Sequence, residues 1–195
     1  MHNFSTTGYA ADSVMASNMG IINQGFDNVV YRHWINASEM DDMQDTFSPS
    51  YFLGSVGAYP PYWRLRDGFA TSVGCYVPRN REWRCGAFGL VVYYSVSVGG
   101  GEISWKARIT PVTNNAAPSA TLVSFTENAP STASVFTSKE LISASLSASS
   151  QIDASHVGVL VSLGRGDTDT NTGNVHIYGI ELVYREARHV VGDRQ

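Results

Sequence analysis

From about residue 61 onward, apolar and polar positions alternate with a period of two, the mark of half-buried β-strands. Phe88, Leu90, Val92, Tyr94, Val96 and Val98 share one face of such a pattern. Gly99-Gly100-Gly101 interrupts it, and Ile103, Trp105, Ala107 and Ile109 then point one way while Ser104, Lys106, Arg108 and Thr110 point the other. Two alternating runs around a glycine turn predict a β-hairpin. Further strands are expected at Tyr62 to Arg66, Phe69 to Val77, Thr121 to Thr126, Lys139 to Ser147 (Ile142 inward, Leu141 opposite), His156 to Leu163 and Asn174 to Arg185. In the last of these the phase slips at Gly179, with Val175 and Ile177 before it and Ile180, Leu182 and Tyr184 after it. A bulge at Gly179 would return both sets to one face. About eight short antiparallel strands with polar turns predict an all-β, jelly-roll-like sandwich.

Residues 1 to 58 lack this periodicity. Their reading is an irregular, partly helical N-terminal extension or docking arm, 1–58, ahead of a β-sandwich domain, 59–195. One short helix is expected around Asp12 to Asn18. A second is expected from Ser38, a suitable N-cap, with Met40, Met43 and Phe47 near one face. Pro49, Gly54, Gly57 and Pro60-Pro61 mark the break that follows. The chain opens on a methionine without a basic, then apolar, leader, so an intact gene product without a secretion signal is expected.

Composition narrows the chemistry. Charged residues make up only 15% of the chain, against a usual ~25%. The net charge is -4 at pH 7, and no basic stripe offers contacts to phosphates, so nucleic acid is not an expected partner. No apolar run approaches the ~20 residues of a membrane-spanning helix, so a membrane is not expected either. Of the 13 basic residues only Lys106 and Lys139 are lysines, a bias that suits protein interfaces, where Arg is enriched and Lys depleted. Cys75 and Cys85, ten residues apart, are read as reduced thiols, with a bond across a hairpin as the alternative.

Few clusters suggest a site. Asp167, Asp169 and Asn171 stand at alternate positions in a polar loop, a spacing able to wrap a calcium ion. The EF-hand pattern fails, because Thr172 and Tyr178 occupy the positions that need Gly and Glu. The competing reading is a self-bonded turn in which Arg165 pairs with Asp167 or Asp169. Arg165-Gly166-Asp167 also spells an adhesion triplet, for which a plain turn is the simpler account. His156 and His176 are expected as neighbours on paired final strands, without a third metal ligand. No nucleophile elbow, P-loop, dinucleotide or metalloprotease motif occurs, so neither enzymatic activity nor a cofactor is expected. Trp105 runs in phase with the core. Trp34, Tyr31 and Trp83 are the candidates for partner or ligand contact.

Two stretches carry a resemblance. Trp63-Arg64-Leu65-Arg66-Asp67-Gly68, the strand to Val77-Pro78 and Gly101-Glu102-Ile103-Ser104-Trp105 form the first. Val157 to Leu163, Arg165, Asp169-Thr170, Gly173 and Val175 to Tyr184 form the second. Over about residues 60 to 185 the chain resembles jelly-roll domains of tailed-bacteriophage virion proteins, of the capsid cement or decoration, head-fibre and tail-fibre types. The resemblance implies a structural protein of the virion, assembled in the host cytoplasm. The first expectation is a cement or decoration protein that stabilises the shell by contacts with the major capsid protein and with copies of itself, as a homotrimer. The alternative is a receptor- or glycan-binding head- or tail-fibre protein.

Overall fold

The computed structural model describes residues 28–43, 50–52, 60–67, 71–79, 86–114, 121–144, 151–153, 155–166 and 169–187. Twelve strands are present among them: β1 (Asn28–Asn36), β2 (Asp41–Asp42), β3 (Ser50–Phe52), β4 (Tyr62–Leu65), β5 (Thr71–Pro78), β6 (Gly86–Val96), β7 (Glu102–Thr113), β8 (Thr121–Asn128), β9 (Thr137–Ile142), β10 (Gln151–Ile152), β11 (His156–Arg165) and β12 (Val175–Ala187). They form two antiparallel sheets. One has seven strands, in the order β10-β6-β12-β4-β3, with β1 also on β12 and β9 also on β6; the other has five, in the order β2-β5-β11-β7-β8.

The eight strands expected from the alternation correspond to β4 through β9, β11 and β12. Their pairing is nested. The first, β4, pairs with the last, β12; β5 pairs with β11; β6 lies between β12 and β9; β7 lies between β11 and β8. Two interlocked Greek keys of this kind make a jelly roll.

The inner faces of the sheets supply one core. Phe88, Leu90, Val92, Tyr94 and Val96 of β6 are buried, as are Ile103, Trp105, Ala107 and Ile109 of β7 and Val159, Val161 and Leu163 of β11. Each Val, Leu, Ile or Phe among them contributes about 1.5–3 kcal/mol when removed from water. Tyr94 and Trp105 meet edge to face across the sandwich, with ring centroids 5.0 Å apart. Their polar ends are satisfied by one carboxylate. Glu127 Oε1 accepts from Trp105 Nε1 at 2.9 Å and from the Tyr94 hydroxyl at 3.1 Å, while Glu127 Oε2 pairs with Lys139 Nζ at 2.5 Å. Tyr94 and Lys139 belong to one sheet and Trp105 and Glu127 to the other, so this cluster ties the sheets together at their margin.

Several expectations are corrected. β6 and β7 do not form a hairpin; they lie in different sheets, and the segment between them crosses the core as a corner. Alternation cannot tell the two arrangements apart. A hairpin sets two apolar faces side by side, whereas a corner sets them opposite each other, and the sequence pattern is the same. Gly100 and Gly101 turn the corner with φ of 80° and 76°, a left-handed conformation that glycine adopts without steric cost. Val98 lies past the end of β6 and is exposed. Leu141 and Ile142 are both buried, because the β6–β9 register shifts between Leu90 and Val91. The predicted helix from Ser38 is a single 3-10 turn, Ala37–Glu39, and Met40 leads directly into β2. The Asn36 backbone N–H donates to Glu39 Oε2 at 2.8 Å, which closes the turn. Phe47 and the predicted helix at 12–18 lie outside the described residues.

The arm is corrected in its described part. β1 runs antiparallel to β12 from Asn28↔Ala187 to Asn36↔Gly179, β2 pairs with β5 and β3 with β4. Residues 28–36 alternate too weakly to read as a strand, because one of their faces is polar and aromatic. The bulge is present: the β12–β6 register slips between Ile177 and Gly179, and Val175, Ile177, Ile180, Leu182 and Tyr184 are all buried.

Candidate functional site

The seven-stranded sheet turns an unusual outer face to solvent. In β1, Ile35 packs in the core and Trp34 projects outward, 41% exposed. On β6, burial of Val92 and Tyr94 in the core sends Tyr93 outward; on β12, core Ile177 sends His176 and Tyr178 outward. Tyr62 of β4 and Phe136, just before β9, complete the set. Their rings touch in sequence. Trp34 meets Tyr93 edge to face at 4.8 Å, Tyr93 meets Phe136 at 5.9 Å, Phe136 meets Tyr178 at 5.3 Å, Tyr178 meets Tyr62 at 5.8 Å, and Tyr62 lies 4.6 Å from His176. Burial and the nearby Arg64 charge lower the His176 pKa, so the imidazole is neutral at pH 7 and the charge at this end of the array is that of Arg64.

The polar ends of three of these rings are held inside the protein. Trp34 Nε1 donates to Asn36 Oδ1 at 2.7 Å, the Tyr93 hydroxyl to Glu181 Oε2 at 3.4 Å, and the Tyr178 hydroxyl shares a hydrogen bond of 2.9 Å with Ser95 Oγ. Burial first, and then the Glu181 charge, raise the Tyr93 pKa, which keeps that hydroxyl protonated. Arg32 Nη1 also reaches Glu181 Oε2, at 2.6 Å. Gly179 lets β1 approach: an added Cβ there would fall 2.6 Å from Trp34 Cζ2 and 2.7 Å from the Ile35 carbonyl oxygen.

Two concavities open on this face. One, of about 190 Å³, is lined by Trp34, Asn36, Ser38, Pro60, Pro61, Phe136 and Tyr178, with Ala37 beneath. The other, of about 160 Å³, is lined among others by Val30, Arg32, Val183, Arg185 and Glu140. Both are smaller than the ~300–1,000 Å³ of an enclosing small-molecule cleft.

The sequence-predicted residues fall in different places. Trp34 joins this array. Tyr31 faces the other way and stacks on Tyr184 at 6.0 Å, packed against the core. Trp83, Cys85 and Asp167 lie outside the described residues. Cys75 is a buried free thiol, and burial pushes its pKa up to about 11. The loop before β12 is organised by Arg165, whose side chain is fully buried. Its guanidinium donates to the Asp169 carboxylate and to the carbonyls of Asn171 and Gly173, and reaches Asp67 Oδ1 at 3.1 Å. Asn171 donates from Nδ2 to the carbonyls of Val98 (2.8 Å) and Gly100 (2.5 Å), and its Oδ1 accepts from the Gly173 N–H. The expected Arg165–Asp169 pair is therefore present, and the oxygens of Asp169 and Asn171 serve the fold. Among the described residues no group of three His, Cys, Asp or Glu is arranged to hold a metal ion. With its guanidinium buried, Arg165 is not displayed as an adhesion triplet would require.

His156 and His176 are not neighbours, because β11 and β12 belong to different sheets. His156 instead shares Asp153 with Ser155. Asp153 Oδ1 lies 2.5 Å from the Ser155 hydroxyl and 3.0 Å from His156 Nδ1. Both side chains turn to the carboxylate rather than to each other, so Ser155 and His156 do not form a nucleophile–base pair. Hydrogen bonds from Ser155 are the main cause that lowers the Asp153 pKa. Among the described residues no helix is long and apolar enough to cross a membrane.

Tyr93, Tyr178, Tyr62 and Phe136 were missed by the sequence reasoning. The signal was available for three of them: each is an aromatic residue out of phase with its own core-facing neighbours.

No family model and no curated protein matches the chain. Among solved structures, it is similar to the CBM22-1 xylan-binding domain of Paenibacillus barcinonensis Xyn10C, at 8% identity and a TM-score of 0.46, over 81% of this chain and 95% of that one. It is similar to the CBM22-1–GH10 modules of Clostridium thermocellum Xyn10B complexed with xylohexaose, at 9% identity and 0.47, over 82% and 28%. It is also similar to a chain of infectious bursal disease virus Gx strain, at 9% identity and 0.44, over 84% and 33%. Likeness at this level says nothing of what the chain binds.

Proposed function

We propose that the protein is a non-catalytic structural component of a bacteriophage particle that works by recognition, as a head- or tail-fibre type protein, with the outer face of the seven-stranded sheet as its working surface. One observation carries this reading. The face holds a connected run of rings, from Trp34 through Tyr93, Phe136 and Tyr178 to Tyr62, where an idle sheet face would carry small or charged groups. Phe136 is 58% exposed. Keeping large rings in water has no benefit for folding, whereas fixed aromatic surface is the usual material of binding sites.

A second reading, the capsid cement protein, is favoured by exposed Met43 beside Gly74 and exposed Tyr76 over Gly158 on the opposite sheet. In that reading the chain packs on the major capsid protein and on copies of itself as a trimer.

The test uses the full chain, as wild type and as a Trp34→Ala/Phe136→Ala variant. Each is added to phage-sensitive cells and to particles that lack the protein. The expected result is loss of cell binding with normal incorporation into particles. A variant that binds cells normally but fails to enter particles overturns the recognition reading in favour of the cement protein.

A further inference from the structure

We infer that the outer face of the seven-stranded sheet takes an uncharged saccharide chain laid along the strands, with Trp34 and Phe136 as its stacking walls. The inference deepens the recognition reading and rests on it. Among the described residues, the lining of the first concavity has no carboxylate, ammonium or guanidinium: it is Trp34, Phe136, Tyr178, Pro60, Pro61, Asn36 and Ser38 around Ala37. Such a lining has nothing to neutralise an ionic ligand. It offers flat apolar surface for the C–H faces of a pyranose ring, together with amide and hydroxyl groups at the rim.

The rings are set in place beforehand. Trp34, Tyr93 and Tyr178 each have their polar end bonded within the protein, so their orientations are fixed; Tyr178 is buried and backs the exposed rings of Trp34 and Phe136, whose faces a ligand can reach. Preorganised rings bind with a smaller entropic cost, and stacking tolerates a range of ring substituents.

Beside this apolar seat stands a paired charge. Arg32 and Glu181 meet at 2.6 Å, with Glu181 14% exposed. The pair is neutral as a unit, and it presents N–H donors and carboxylate oxygens at one place. Hydroxyl groups both donate and accept, so neighbouring sugar hydroxyls match it. Around the second concavity Arg32 and Arg185 stand against Glu140, and Glu181 pairs with Arg32, so the charges balance and favour neither an anionic sugar nor a cationic peptide. Arg32 also lines the second concavity. On β1 that concavity begins at Val30, four residues from Trp34, or about 13 Å at ~3.3 Å per residue. The seats are shallow and spaced along the strands, which suits successive units of a chain better than one enclosed molecule.

Isothermal titration and tryptophan fluorescence of the full chain test this with cellohexaose, maltohexaose and mannohexaose. Hyaluronan oligosaccharide serves as the anionic control, and a proline-rich decapeptide, which also suits aromatic grooves, as the peptide control. Saturable binding of a neutral hexasaccharide is expected. It should weaken at least tenfold in Trp34→Ala and in Phe136→Ala, and remain unchanged in Arg108→Ala on the opposite sheet. Binding of hyaluronan or the peptide in preference, or no saturable binding of any neutral hexasaccharide at 10 mM, overturns the saccharide inference. The recognition reading falls separately, if the Trp34→Ala/Phe136→Ala chain binds cells as wild type does.

Discussion

At the scale of single residues, Arg165 does the most to order what lies around it. Its charge sits in a fully buried position and is met by Asp169, itself 2% exposed, by Asp67 and by two carbonyls. Removing one member of such a cluster strands the others without water. Arg165→Met is therefore expected to cost about 3–5 kcal/mol in urea denaturation. Adding Asp169→Asn should recover part of that loss, because the group left behind is then neutral. Strict additivity of the two substitutions would show that the pair is not coupled. The pair was legible in sequence, since an arginine ending a buried strand four residues before an aspartate has few other uses. Asn171 was harder to place. An Asn in a polar loop reads equally as a ligand, a turn-former or a solvated group, and only the approach of the β6–β7 corner decides that it binds the carbonyls of Val98 and Gly100.

At the scale of elements, the alternation located all eight strands of the jelly roll but not their partners. Period two reports which side chains face the core, and β6 followed by β7 satisfies it in one sheet or in two. The strand β1 escaped because its outward positions, Arg32 and Trp34, are not simply polar, and because its register depends on a glycine about 140 residues away. Gly179 shows how closely β1 and β12 are fitted. A methyl group there meets both the Trp34 ring and the Ile35 carbonyl at under 3 Å; the ring can swing aside, but the carbonyl cannot retreat without disturbing the β1–β12 ladder. Gly179→Ala is expected to destabilise by about 1–3 kcal/mol, the cost of overpacking. It should also shift tryptophan emission as the Trp34 ring is displaced. Unchanged stability and emission would mean that β1 adapts freely and that Gly179 does not fix its position. The aromatic face was legible only after the fold was known: Tyr93, Tyr178 and Tyr62 come from three strands, and nothing in their spacing along the chain says that they adjoin.

At the scale of the whole molecule, the two sheets share no backbone ladder among the described residues. They are joined by side chains, above all by the ring pair Tyr94–Trp105 and by Glu127, which serves both sheets. Neither sheet can keep its apolar inner face alone in water, so the sandwich is expected to unfold as one unit. The proposed binding face lies on the outer side of the seven-stranded sheet, a full layer away from Trp105. These two facts separate stability from recognition. Trp105→Ala removes a fully buried ring and leaves Glu127 without one of its donors, so it should lower stability by about 3–5 kcal/mol. Below its lowered transition, the variant should still bind the neutral hexasaccharide with the affinity of the wild type, because Trp34, Phe136 and Tyr178 keep their positions. Far-ultraviolet and near-ultraviolet circular dichroism should give coincident unfolding curves for both proteins, with ligand affinity measured at a temperature where both are folded. Affinity lost while the fold is intact would show that the core transmits strain to the outer face. Separate transitions for the two signals would show that the sheets do not fold as one unit.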